Sequence, residues 1–555
     1  MRRLFALATI LCLLLTGCAG ASGRQRPANT PMPTTGGDMT LTGAYVGWDA
    51  KALEEWMAEG AAIVSPAGLG IPCAAIRSIE FRLQSGEASG VRLYWKTASG
   101  GFSEECSAAI PVRNDNVYHD YQIDLSRKKE WAGTVDQVKL AFEGAAWDAV
   151  SVEYLKATGV YIVPFAWGVG GDLDRDLDLL GEIRSAYQTR SKTAVIGYSV
   201  CLDYMMWIDA DGNFNPKLVD YYIQLSEAAG MPVVFWLRAD PWGYTGELLD
   251  DDNAVMWTAA TDAGWACRHD ESGYYYLSFA PTDLAGAKTR YWAQAEQSLG
   301  RCAEYIHSLI QTHPGCILGV TTTSELKYNA KDGTLDLDYN PNTILAFREH
   351  CREKYSTTEA FNAAMGQNID TWELKSTDYD PSTVENPGGF DAPRVRDRSA
   401  FWGEWVSFRE LLIQQAVQKL CDIIAGKMDS KYIYTHQICY RQGDSAICSP
   451  IESGYATNAN MGIDMFTHDF KQANFTRITG LLGGDYTKSW GIPEWLHDNA
   501  GAATSFRALK LAHANGMRYL CPFAWACSVA QYDFRDSKAT RGIQKYLAYL
   551  DSLAG

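Results

Sequence analysis

The chain has 555 residues and a formal net charge of −17, and that acidic balance argues against nucleic acid as a partner, because gripping a phosphate backbone takes clustered Lys and Arg. With 47% hydrophobic residues it has a sizeable core to bury, enough for two or three domains at ~150 residues each, although one barrel can absorb about 250 or more. After the N-terminus no run is long and apolar enough to cross a membrane.

The first residues, Met1-Arg2-Arg3, precede an apolar stretch from Leu4 to Leu15 and then Leu15-Thr16-Gly17-Cys18. Two arginines before a short apolar run read as an export signal rather than a spanning helix. Residues 1–18 are therefore expected to be a bacterial lipoprotein signal, with Cys18 as the lipidated first residue of the mature chain. Ala19-Gly20 after it points to the outer membrane of the cell envelope. Residues 19–39, rich in Pro, Gly, Ser and Thr, read as a flexible tether. Of the fourteen cysteines, Cys12 would leave with the signal and Cys18 would carry lipid. The other twelve show no Cys-x-x-Cys spacing, and several (Cys201, Cys316, Cys439, Cys521) sit inside apolar runs as small buried thiols do.

From 40 to 157 the chain is a series of short strand-like runs: Thr40 to Val46, Ile76 to Leu83, Val91 to Lys96, Ser107 to Val112, Tyr118 to Leu125, Val138 to Phe142 and Val150 to Leu155. Alternation such as Ile-Glu-Phe-Arg-Leu gives each strand one buried face, and the natural architecture is an all-β jelly-roll sandwich. From 158 to 555 the pattern changes to strand then helix, repeatedly. Eight strands are predicted: Val160 to Trp167, Ala194 to Leu202, Pro232 to Leu237, Cys316 to Thr323, Tyr432 to Tyr440, Gly462 to His468, Trp490 to Pro493 and Tyr519 to Trp525. Amphipathic helices are predicted at Pro216 to Ala229, Ala285 to Gln311, Phe401 to Gly426, Ala503 to Ala514 and Thr540 to Leu553. Strand–helix repetition of this kind gives an α/β fold, a (β/α)8 TIM barrel, with a doubly wound open sheet as the alternative.

Active sites of such barrels lie at the C-terminal ends of the strands. Polar and aromatic residues just past each run are therefore candidates: Asp203, Arg238, Asp240, Ser324, Glu325, His436, Tyr440, His468, Asp469 and Glu494, with Trp167, Trp242 and Trp525 as stacking walls. Glu325 and Glu494 fall after the fourth and seventh runs. Cleaving an acetal needs one carboxylic acid to protonate the departing oxygen and one carboxylate to capture the oxocarbenium-like centre. Retaining enzymes hold the two about 5 to 5.5 Å apart. Glu325 is then acid/base and Glu494 nucleophile. This chemistry asks for no cofactor and no metal. His436 with His468 as a metal pair, and calcium loops at Asp172 to Asp178 and Asp209 to Asn215, are weaker alternatives.

Two patches carry a family resemblance. Ile344-Leu-Ala-Phe-Arg-Glu-His-Cys-Arg-Glu-Lys-Tyr-Ser-Thr-Thr-Glu-Ala-Phe-Asn-Ala-Ala-Met-Gly366 resembles the stretch after the acid/base strand of family 42 glycoside hydrolases, the β-galactosidases. Ile492-Pro-Glu-Trp, Ala508-Leu-Lys-Leu-Ala-His-Ala-Asn-Gly-Met-Arg-Tyr and Phe523-Ala-Trp525 resemble that family's nucleophile strand, next helix and eighth strand. The resemblance implies a clan A retaining barrel with Glu325 and Glu494 in the two catalytic roles. It departs at Ser324, where the clan carries Asn, and in lacking a cysteine zinc cluster. Val117-Tyr-His-Asp-Tyr-Gln-Ile-Asp-Leu125 with Trp131-Ala-Gly resembles carbohydrate-binding-like sandwiches, so 40–157 is expected either to bind glycan or to act as a spacer. Together these imply a lipid-anchored retaining glycoside hydrolase acting on β-linked glycans, with a non-catalytic glycan-binding lipoprotein on a degenerate barrel as the alternative.

Overall fold

The structure is a computed structural model describing residues 39–554, except 42, 188–190, 204–213, 239–253, 258–265, 268–276, 323–324, 329–336, 378–382, 439–448, 531 and 536, and except the side chains of 203, 266 and 267. Cys18, Asp240, Trp242, Ser324, Tyr440 and the Asp203 side chain thus lie outside the described residues. The architecture is mixed α/β. Among the described residues no helix is long and apolar enough to cross a membrane.

The N-terminal part forms two larger antiparallel sheets, besides a two-stranded pairing of Ile71–Pro72 with Thr134–Val135. One has the order Val46–Asp49, Val150–Thr158, Ser78–Ser85, His119–Asp124, and the other Met57–Glu59, Ala62–Val64, Gln137–Glu143, Gly90–Lys96, Ser107–Pro111. Ile79, Phe81 and Leu83 from the first meet Val91, Leu93, Trp95, Val138, Leu140 and Phe142 from the second in one core, as period-2 alternation dictates. The strand predicted at Thr40 to Val46 instead begins at Val46. Gly43 takes φ +74°, turning the chain where any Cβ would strike Val195, so Met39–Leu41 is a short 3-10 turn.

In the C-terminal part each predicted strand pairs in parallel with the next along the chain, and the last pairs with the first. The registers include Tyr161↔Val195, Asp203↔Arg238, Val233↔Ile317, Val320↔Ile433, Gln437↔Ile463, Gly462↔Gly491, Ile492↔Leu520 and Ile162↔Leu520. Alternate strand residues divide between two clusters. Tyr161, Val163, Phe165, Val234, Trp236, Tyr434, Leu496, Tyr519, Cys521 and Phe523 form an inner one. Ile162, Val200, Leu202, Phe235, Leu237, Ile463, Met465, Ile492 and Leu520 pack outward with helix residues such as Leu180, Ile183, Leu299, Ile306 and Val417. Gly462 is required by this packing, since its Cβ would lie 1.9 Å from the Thr435 carbonyl of the neighbouring strand. The helices fall close to their predicted places, at Lys217–Ala229, Arg290–Thr312, Ala400–Ala425, Ala502–Ala514 and Lys538–Ala554. Gly230 closes the first of these in the left-handed conformation at φ +61°. Asp172 to Asp178 opens a further helix, Leu173–Tyr187, in place of a calcium loop. There Asp176 is buried and accepts from the Gly170 N–H and the Tyr221 hydroxyl.

The outer face of the first antiparallel sheet is also buried, against the starts of the parallel strands. Glu80 there is within 3.3 Å of Lys431 Nζ, 3.7 Å of Arg518 and 3.8 Å of Lys156, and accepts from the Tyr161 and Thr158 hydroxyls. His119 and the Asp120 N–H both reach Asp429, at 2.8 and 2.9 Å. Gln122 donates to Asn460 at 2.6 Å. The His-Asp-Tyr-Gln motif thus forms part of an interface, and Trp131 is buried, its indole donating to the Ile76 carbonyl at 2.7 Å.

Candidate active site

The strand Trp490–Leu496 brings in Glu494 through a bulge. Its register slips against both neighbours, between Ile492 and Trp495 on one side and between Gly462 and Met465 on the other. Ile492 and Trp495 both pack outward although three residues apart, so one extra residue, beside a proline with no N–H to give the ladder, is accommodated between them. Glu494 and Leu496 consequently face inward, and Glu494 is 9% exposed.

Glu325 follows the strand Ile317–Thr321 with φ +55°, a left-handed conformation that non-glycine residues hold at a cost of about 1–3 kcal/mol. Its backbone is pinned to the next strand: Glu325 N–H donates to the His436 carbonyl at 3.0 Å, and Leu326 N–H to Gln437 Oε1 at 2.6 Å. Its carboxylate pairs with the buried Lys327 ammonium at 2.6 Å. The Glu325 charge acts on Glu494, so the two acids share one electrostatic environment.

His436, whose carbonyl holds the Glu325 backbone, is fully buried, its ring edge-on to Trp236 at 4.7 Å. Its Nε2 lies 2.9 Å from Asp464 Oδ2 and 3.8 Å from Glu494 Oε2. Burial alone would lower its pKa, but the Asp464 and Glu494 carboxylates reverse that and raise it to about 10, making it an imidazolium at neutral pH. Burial pushes the Asp464 carboxyl well up, against the pull of His436 and with the Glu494 and Glu325 charges adding to the rise. Burial likewise raises Glu494, opposed by His436 and reinforced by Glu325. Trp236 stacks on Phe523 at 5.7 Å and Phe165 lies 4.5 Å from Trp236, which gives an aromatic floor.

His436, Asp464 and Glu494 also present donor atoms within 4.8 Å of one another, the spacing a bound cation would ask for. In this arrangement the histidine ring itself supplies the positive charge between the two carboxylates.

Of the other predicted residues, Arg238 ends the strand Val233–Arg238 and is buried. Trp167 is partly exposed with its ring 6.0 Å from both Phe165 and Phe523, at the edge of the aromatic floor. Trp525 is not with the acids: its ring is 5.6 Å from Tyr187 and its indole donates to Glu182, because Phe523 and Ala524 both turn inward and leave it facing the helices. His468 is largely exposed and pairs with Asp498 at 2.7 Å, which separates it from His436 and ends the metal-pair reading. Asp469 accepts from the Phe466 N–H at 3.1 Å and closes a turn. Asp464, Lys327 and Trp236 are the residues sequence reasoning missed. An acid within the apolar run Met-Gly-Ile-Asp-Met-Phe was the available signal for Asp464, since burying a carboxylate needs a reason. The nine described cysteines are free thiols, and all but Cys106 are buried.

No protein-family model matches the chain, and no curated protein does. Solved structures that overlap it are glycoside hydrolases. The catalytic domain of β-amylase from Paenibacillus polymyxa is 12% identical over 70% of this chain and 98% of its own, with a TM-score of 0.47. The β-galactosidase of the psychrophilic Marinomonas ef1 is 14% identical over 71% of this chain and 62% of its own, at 0.48. A GH42 exo-carrageenase from Bacteroides ovatus is 11% identical over 72% of this chain and 53% of its own, at 0.45. This chain therefore spans less than two thirds of the last two.

Proposed function

We propose that the chain is a retaining glycoside hydrolase on a (β/α)8 barrel, preceded by a jelly-roll sandwich over 40–157, and that it acts on β-linked glycans, β-galactosides among them. The observation that carries this reading is Glu494, turned inward by a bulge onto a cationic His436 and electrostatically coupled to Glu325 on the fourth strand. In the first step a Glu494 oxygen forms a bond to the anomeric carbon while the glycosidic C–O bond breaks, and Glu325 gives its proton to the departing oxygen. In the second, Glu325 takes a proton from water as the water oxygen displaces Glu494, releasing the sugar with its configuration retained. His436 offsets the charge on Glu494 before the first step and after the second, when the carboxylate is free of the sugar, and Lys327 fixes the direction of Glu325. Lipidation at Cys18 and a place on the cell envelope, facing polysaccharide, belong to the same proposal.

The rival reading is a glycan-binding lipoprotein whose barrel has lost catalysis. It draws on Lys327, whose ammonium occupies the carboxylate of Glu325. A screen of 4-nitrophenyl glycosides and polysaccharides separates the two. On any substrate turned over, Glu494→Ala is expected to lose about 10³-fold or more in kcat, and azide to restore part of it with a glycosyl azide of inverted configuration. Unimpaired turnover by Glu494→Ala would refute the nucleophile assignment, and binding without turnover across the screen would favour the rival.

A further inference from the structure

We propose that His436, Asp464 and Glu494 form a binding site for one divalent transition-metal ion of the zinc class, and that the ion and glycosyl transfer exclude each other at Glu494. Binding of the ion needs no sugar, so it goes beyond the glycosidase reading while sharing one residue with it.

Three successive strands supply the ligands. His436 stands between Ile433–Tyr434 and Gln437–Ile438, Asp464 is in Met461–Phe466, and Glu494 in Trp490–Leu496. Each presents a donor atom within 4.8 Å of the other two. Acidic side chains can gather without an ion, and Asp464 sets this group apart. It is 4% exposed and turned toward His436, yet neither of its oxygens has a hydrogen-bond partner among the described residues. Carboxylates buried for structure in this protein are well served by donors. Asp176 accepts from a backbone N–H and a hydroxyl, and Glu80 from two hydroxyls beside Lys431. A buried carboxylate left without donors is costly, and a cation is the group that would satisfy it.

The distances fit one ion. His436 Nε2 lies 2.9 Å from Asp464 Oδ2 and 3.8 Å from Glu494 Oε2. Atoms bonded to the same ion at about 2.1 Å stand roughly 3.0 to 3.4 Å apart, between those two separations, so small side-chain adjustments close the set. The ring is braced for this role from its far side: Nδ1 is 3.4 Å from the Thr321 hydroxyl, to which it can donate, and that tautomer leaves the Nε2 lone pair to the ion. One imidazole with two carboxylates is a donor set that zinc accepts, with water as the fourth ligand. A divalent ion also balances both carboxylate charges, whereas the ring proton of the ion-free protein balances one. On binding, the ion takes the place of the Nε2 proton, which passes to solvent. Glu325 is not a further ligand, because its carboxylate is held by Lys327 at 2.6 Å. With its charge committed to the ion, Glu494 is withheld from the anomeric carbon.

The test begins with full-length protein stripped by EDTA and titrated with ZnCl₂ in a calorimeter at neutral pH. One equivalent is expected to bind with a Kd below about 10 μM, and Co²⁺ in its place to give the visible d–d bands of a low-coordinate nitrogen and oxygen site. Asp464→Asn is expected to weaken Zn²⁺ binding by about 100-fold or more. Should that variant fail to fold, Glu494→Gln, altered at the edge of the cluster, is expected to show the same loss and carries the test. His468→Ala, which removes an exposed histidine outside the cluster, should leave the Kd unchanged. On an aryl glycoside that is turned over, saturating Zn²⁺ should lower kcat/KM by about 10-fold or more, and EDTA should restore it. Zn²⁺ binding of this kind without turnover of any substrate would uphold the site and count against the glycosidase reading. Turnover with no saturable Zn²⁺ binding below about 1 mM would overturn the site and leave the glycosidase standing. A Kd unchanged in the folded Asp464→Asn or Glu494→Gln protein, or full turnover with the ion bound, likewise overturns the proposal.

Discussion

Replacing Glu80 by Gln tests whether the N-terminal sheets are fixed to the parallel strands by charge. Glu80 is buried on the strand Ser78–Ser85, and two of its three cationic neighbours, Lys431 and Arg518, come from the other part of the molecule. Removing one member of a buried ion pair costs about 3–5 kcal/mol. The lower end applies here, because Lys431 also lies 3.9 Å from Asp120 and keeps part of its compensation. At ~2.1 cal/mol/K per residue, a single cooperative unit of about 510 residues has an unfolding entropy of ~1.1 kcal/mol/K, so ~3 kcal/mol lowers Tm by ~3 °C. If about 120 residues of N-terminal sheets melt separately, the entropy is ~0.25 kcal/mol/K and the first transition falls by ~12 °C. Differential scanning calorimetry distinguishes the two. The pH dependence has a definite sign. Burial would raise the Glu80 pKa, but Lys431, Lys156 and Arg518 pull it far below its ordinary 4.5. The carboxylate therefore contributes stability that is present above pH 4.5 and lost progressively as pH falls below it. The gap between the unaltered protein and Glu80→Gln should close toward pH 3. A Tm within 1 °C at pH 7, or an equal gap at pH 7 and pH 3, would refute the reasoning.

His513 gives the opposite kind of acid sensitivity. It donates from Nε2 to the Ala74 carbonyl and accepts from the Tyr546 hydroxyl, and burial followed by the Arg77 charge lowers its pKa from 6.5 to about 3. Its depressed value means that stability is intact above pH 6.5 and falls as pH drops toward 3, by about 2 kcal/mol at pH 5. His513→Gln should show a flatter stability profile between pH 6.5 and 4.5, and a profile parallel to that of the unaltered protein counts against this account. Lys327→Met should release Glu325 and slow hydrolysis of phenyl glycosides by about 10- to 100-fold, with a smaller loss on dinitrophenyl glycosides, whose leaving group needs no proton. Equal losses on both would argue that Lys327 does not serve the acid.

Much of this fold is legible from periodicity. Among the described residues, the eight predicted strands and five predicted helices lie close to where apolar runs and 3.6-residue spacing put them, since both patterns record which faces meet other elements. The site is less legible, because local chemistry turns side chains where strict alternation would not. Counting by twos from Trp490 and Ile492 sends Glu494 to the helices, and only the bulge returns it. Counting past the last run put Trp525 with the acids, but two inward residues in succession turned it away. Asp464 escapes a reading of strand ends because it lies within an apolar run, whereas barrel sites are expected just beyond such runs. In the N-terminal sheets, Glu80 looks like part of a solvated face, yet it is buried against charges some 350 to 440 residues away in the chain. Pairings at that separation leave no local trace.

Met39 lies against Gly315, just before the strand Ile317–Thr321 begins, whereas Glu325 follows that strand and Glu494 is near the end of its own. The described chain thus starts at the opposite end of the parallel strands from the acids. If Cys18 carries lipid, the membrane attachment would lead to the body from that opposite end. The mouth of the site would then point away from the membrane, open to polymers too large to pass beneath the protein.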